Sequence, residues 1–123
     1  MELDPELLAA FGRAIRAKIR KDLADEARRA TALREQVVPA VRQAVEAART
    51  AGLCRRTWLF GSFAGGLWGQ PGAHSDIDLL VEGDEDAVAA LVARAARREV
   101  HALSLARAPT SLTERAMSDG LPL

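Results

Sequence analysis

Trp58-Leu59-Phe60-Gly61-Ser62, followed after thirteen intervening residues by Asp76-Ile77-Asp78-Leu79-Leu80-Val81, is the stretch on which the reading of the fold turns. Thr57 to Phe60 is a short apolar run rich in strand formers and closed by Gly61, which predicts a buried strand. Ile77, Leu79, Leu80 and Val81 predict a second strand, stopped by Gly83. Residues 61–75 between them hold five glycines and a proline, so they are loop at least in part, with room for a short helix after Ser62.

Asp76 and Asp78 stand two apart at the start of the second strand, and alternate strand side chains point to one face. Two carboxylates side by side repel each other and are best satisfied by a hard divalent cation, magnesium being usual where phosphates complete the shell. Ile77 between them points into the core. At the end of the first strand, Gly61 lacks a Cβ and lets the backbone approach a phosphate, to which the Ser62 hydroxyl can donate. These four residues make the candidate site: Asp76 and Asp78 for metal, Gly61 and Ser62 for a nucleotide. With two metals, one lowers the pKa of an attacking hydroxyl and the other stabilises a departing pyrophosphate.

Downstream, Asp84 caps a helix running to about Arg97 with Val88, Leu91 and Val92 on the core side. A third strand follows at about 99–105. Pro109 ends it, and Ser111 with Glu114 has the spacing of a capping box for a last short helix ending near Gly120. Upstream, Asp4-Pro5 reads as a helix N-cap and first-turn proline. Leu3, Leu7, Phe11, Ile15, Ile19 and Leu23 recur every four residues as a slowly drifting apolar stripe. Leu33, Val37, Val41 and Val45 carry the helical pattern to Gly52, a C-terminal cap. Pro39 either separates two helices, near 4–36 and 39–50, or kinks one long helix. This charged helical stretch serves as a cover on the sheet or as a coiled-coil-like dimer arm, although no strict heptad is sustained.

The expected fold class is therefore α/β (α+β): a small mixed sheet of about three strands packed with helices, with an N-terminal helical segment at 1–52 and a domain at 53–123. A length of 123 residues suits one core, and 49% hydrophobic with 28% charged residues is a globular composition. Basic and acidic residues number 17 each, so no overall field draws the chain to nucleic acid or an anionic membrane. No direct nucleic-acid binding is expected. The sequence shows neither a signal peptide nor a membrane-spanning run. Cys54, the one cysteine, permits no internal disulfide, and the expected location is cytoplasmic.

Leu59-Phe60-Gly61-Ser62, the glycine-rich loop and Ser75-Asp76-Ile77-Asp78-Leu79 together resemble the minimal nucleotidyltransferases of the DNA polymerase β superfamily. The resemblance spans about residues 55–120, and Ala108 to Arg115 is similar to the tail of these proteins. It implies a nucleotidyltransferase fold and magnesium-dependent transfer of a nucleoside monophosphate from ATP or another triphosphate to a protein acceptor. Several members are antitoxins encoded beside a HEPN ribonuclease toxin, and some transfer AMP to a tyrosine of it, so a HEPN-type toxin is the implied partner.

Three departures stand against the pattern. The loop from Phe63 to Ser75 is longer than usual, Phe63 replaces a basic residue after Gly-Ser, and the third metal carboxylate, Val-Asp in the family, reads Val100-His101. A neutral imidazole compensates poorly for a carboxylate toward magnesium. Glu99, on the same strand face, is a candidate third ligand, as is His101 itself; the plainer alternative for His101 is a hydrogen-bonded strand histidine. The competing reading is a catalytically degenerate module that neutralises or binds a partner without turnover, and the N-terminal helices offer a route to a homo-oligomer. His74 reads as a solvated loop residue. Trp68 stacks on a base, pins its loop to the core or meets a partner. Arg55 and Arg56 steer a triphosphate or form a solvated strand entrance.

Overall fold

A computed structural model describes residues 4–123; Leu3, first of the apolar series, lies outside them. The chain forms α1 (Pro5–Thr50), β1 (Cys54–Phe60), two 3-10 turns (Ser62–Ala64 and Gly66–Trp68), β2 (Ile77–Gly83), α2 (Glu85–Ala96), β3 (Val100–Ser104), α3 (Thr110–Asp119) and β4 (Leu121–Pro122). The sheet order is β3-β2-β1-β4. β2 is antiparallel to β1 and parallel to β3, while β4 is antiparallel to β1, so the sheet is mixed as expected. Its fourth strand is a two-residue addition at the C-terminus. No helix among the described residues is long and apolar enough to cross a membrane.

Asp4 caps α1 by accepting the Glu6 backbone N–H at 2.9 Å, with Pro5 in the first turn. Pro39 neither ends the helix nor divides it: α1 runs unbroken through it. The physical reason lies on both sides of the proline, where Val37, Val41, Ala44, Val45 and Ala48 are buried in one core with Leu59, Ile77, Leu79 and Val81. Burying valines at roughly 1.5–3 kcal/mol each offsets the lost hydrogen bond and ring clash of about 3 kcal/mol. The helix stops at a Schellman turn, in which the Leu53 N–H reaches Ala48 O (2.9 Å) and the Gly52 N–H reaches Arg49 O (3.0 Å). Gly52, at φ +78°, supplies the left-handed residue that this turn requires.

The second half of α1 and all of α2 cover one face of the sheet, where Ile77, Leu79, Val81, Val88 and Val92 are buried. On the other face Leu80 lies with Trp58, Phe60 and Ala116, under α3 and the Trp68 loop. Trp68 is pinned there: its ring centroid is 5.6 Å from that of Phe60, its Nε1 donates to Asp119 O at 3.1 Å, and Arg115 lies over it at 4.4 Å. The expected capping box does not form. Pro109 is the N-cap, no side chain caps α3, and Ser111 already lies inside the helix. Arg55 and Arg56 pair with Glu82, which faces Arg56 across β1 and β2, near the opposite end of β1 from Gly61.

Candidate functional site

β1 ends where β2 and β3 begin, so three strand ends meet along one edge of the sheet. Asp78 faces Phe60 across β1 and His101 across β3, and Ile77 faces Val100. Residues 76, 78 and 80 share a face by strand alternation; Leu80 is buried on the α3 side, which leaves Asp76 and Asp78 at the open end of that face. The Ile77 N–H donates to Glu99 O at 3.0 Å and locks the start of β2 to the approach of β3.

The side chains converge. His101 Nε2 lies 3.6 Å from Asp76 Oδ2 and 3.5 Å from Glu99 Oε1, and His101 Nδ1 lies 4.0 Å from Asp78 Oδ1. Single donor atoms of Asp76, Glu99 and His101 all fall within 4.8 Å of one another. Ligands around one ion at ~2.1 Å stand roughly 3–4 Å apart, so these groups suit a divalent cation. Two oxygens and an imidazole nitrogen form a set better matched to manganese or zinc than to magnesium.

Gly61 closes the site from the β1 side. Its φ is +74°, and a Cβ there would collide with Asp78 Oδ2, so glycine is required both for the turn and for the approach of the carboxylate. Ser62 follows at once, half-buried, as the first residue of a 3-10 turn in which the Ala64 N–H bonds Gly61 O at 3.0 Å. The Gly-Ser turn and the carboxylate pair thus lie side by side. Burial in this corner pushes the Asp78 carboxyl above its ordinary value; His101 pulls it down and Asp76 pushes it further up.

Two arginines escape a reading by motif because they reach the site region only through tertiary packing. Arg98 donates to Ala73 O (3.1 Å) and Ser75 O (2.9 Å) and lies 5.2 Å over the Phe63 ring, fixing the loop that delivers Asp76. Arg34, on α1, lays its guanidinium against Gly65, whose Cβ would stand 3.1 Å from its Cζ. Its Nε is buried without a hydrogen-bond partner. A cation from α1 thus reaches the glycine loop at Gly65, and Phe63 within that loop is fully buried.

A cleft of about 750 Å³ lies between α1, the 73–76 loop and the end of α2, and exposed His74 lines it. It shares Asp76 and Glu99 with the cluster, whereas Gly61, Ser62, Asp78 and His101 lie outside its lining. The cleft and the charged cluster therefore overlap only at Asp76 and Glu99. Compared with protein-family models, curated proteins and solved structures, the chain has no significant match.

Proposed function

We propose that the chain is a divalent-metal-dependent nucleotidyltransferase that moves a nucleoside monophosphate from ATP or another triphosphate to a protein acceptor, as the antitoxin of a toxin-antitoxin pair. One observation carries the reading: the Gly61 Cα sits against the Asp78 carboxylate, which joins the Gly-Ser turn to the Asp76–Asp78 pair at one edge of the sheet. Asp76, Glu99 and His101, whose donor atoms lie within 4.8 Å of one another, would hold the metal, and Asp78, 4.0 Å from the other nitrogen of His101, would join them by turning its carboxylate toward the ion. A bound divalent ion supplies charge neutralisation and a lowered pKa for the attacking hydroxyl.

The protein's own groups do the rest. The Gly61 turn and the Ser62 hydroxyl would bind phosphate, and Arg34 braces the glycine loop at Gly65 from α1. Arg98 holds the 73–75 loop so that Asp76 stays aimed at the cluster. Most of the rate enhancement then comes from positioning and from charge placed in advance. A buried lone Cys54 suits the reducing environment of a cytoplasmic protein.

A second reading rests on His101, which stands in register with Asp78 where the family resemblance implies a carboxylate: a degenerate module that binds its partner without turnover. Incubation with manganese or magnesium, radiolabelled ATP and a HEPN ribonuclease encoded beside the chain separates the two. Label on the partner that disappears with Asp76→Ala supports the transferase. Tight partner binding without label, unchanged by Asp76→Ala, overturns it in favour of the module.

A further inference from the structure

Every buried residue of α1 lies at Ala30 or beyond, so residues 5–29 stand clear of the body as a helical arm of about 37 Å at 1.5 Å per residue. Leu7, Leu8, Phe11, Ile15, Ile19 and Leu23 on it are 44% to 65% exposed. Its internal support is modest: Lys18–Asp22 (2.9 Å), Lys21–Asp25 (3.7 Å) and Arg28–Asp25, exposed pairs worth a few tenths of a kcal/mol each. A helix so weakly supported, with a row of large apolar side chains in water, calls for a partner.

We propose that this partner is a second copy of the chain, with the two arms crossing antiparallel and Ile15 on the two-fold axis. Leu7, Phe11, Ile15, Ile19 and Leu23 are spaced by four throughout, so they form a single i±4n ridge that drifts by about 40° per step. Two such ridges interdigitate at a crossing of about −50° rather than along a heptad seam. Reversal about Ile15 places Phe11 on Ile19 and Leu7 on Leu23, so each member of the ridge meets an apolar residue. The same register sets each residue of the basic run opposite a small uncharged one: Arg13 faces Ala17, Arg16 faces Ala14, Lys18 faces Gly12, Arg20 faces Ala10 and Lys21 faces Ala9. A parallel pairing would instead stack this run on itself and align the two helix dipoles. The five ridge side chains, each half-exposed and adding roughly 100 Å², give about 500 Å² per copy, or ~1,000 Å² in total, the threshold for a specific interface.

Sedimentation velocity on the full chain at micromolar concentrations is expected to give a species of twice 13.2 kDa. Phe11→Glu with Ile19→Glu is expected to leave a monomer whose core melts as before, since neither side chain touches it. Oxidative cross-linking reads the register: Phe11→Cys is expected to link to Ile19→Cys in a mixture of the two variants, and far less to itself. A monomeric wild-type chain, a dimer that survives the double substitution, or dominant Phe11→Cys self-linking each overturns the proposal. A monomer whose arm is instead protected by the HEPN protein overturns it too. No candidate site residue lies on the arm, so the outcome is independent of the transferase reading.

Discussion

At the scale of the residue, the candidate site is held at a cost to the fold. Asp78 keeps its proton more tightly in the folded than in the unfolded chain, because burial and Asp76 together outweigh His101. Its contribution to stability is therefore neutral below the ordinary carboxyl value of 3.8. It turns unfavourable as the pH rises from there through the raised folded value, and remains unfavourable at neutral pH. Asp78→Asn should melt a few degrees above wild type at pH 7 without metal, and this advantage should vanish in acid; calorimetry across pH checks both. Metal should raise the melting temperature of the wild type and leave that of Asp76→Asn, which removes a member of the converging group, nearly unchanged. If the proposed metal site forms, its imidazole disfavours magnesium: titration calorimetry should then find manganese bound more tightly than magnesium, and His101→Asp should improve magnesium affinity by about tenfold or more. The shared face of Asp76 and Asp78 and the glycine turn at Gly61 were legible in the sequence because strand alternation and a glycine at a strand end have local causes, whereas the contact that forbids a Cβ at Gly61 comes from Asp78 across the sheet. Arg34 and Arg98 were not, since their roles depend on how distant helices pack.

At the scale of the element, legibility followed the length of the pattern. β2 reads plainly because Ile77, Leu79, Leu80 and Val81 are buried on both faces of the sheet. β4 has two residues, one of them proline, and no periodicity exists in two residues. It is recruited by contacts that close the fold: the Leu123 N–H bonds Thr57 O at 2.9 Å, and Arg49 donates to both Arg55 O (3.2 Å) and Leu123 O (2.5 Å). Local chemistry misled at α3, where Ser111 and Glu114 have capping spacing but the helix has already begun at Thr110. In α1 the same kind of signal, Pro39, was overruled by the core on either side of it. The proline remains a penalty without a visible benefit, for it is exposed and denies Glu35 O a backbone donor. Pro39→Ala should therefore stabilise the chain by about 1–3 kcal/mol, measured as a shift in the urea midpoint at constant m-value.

At the scale of the molecule, one helix serves two regions that make different demands. From Ala30 onward α1 is a wall of the core, and Arg34 extends it to the glycine loop; before Ala30 it contributes no buried side chain. The sequence carries this division as a change of spacing. The steps of four continue through Leu33, Val37, Val41 and Val45, but here Ala44 and Ala48 add steps of three, 41 to 44 and 45 to 48, and keep a band turned toward the sheet. Both series satisfy a helical pattern, which is why the sequence alone left cover and arm as alternatives; packing assigns the cover to the second half. A chain beginning at residue 30 should then keep the body and the cluster of Asp76, Asp78, Glu99 and His101 intact. Its melting temperature, measured at a concentration where the full chain is monomeric, should lie within a few degrees of the parent, and the rise produced by manganese should be preserved. A collapse of the body on removal of residues 1–29 would mean that the arm folds back and supports the core, contrary to the burial along α1. Retention of the fold with loss of the manganese response would mean that the arm reaches the strand ends at Asp76 and Asp78.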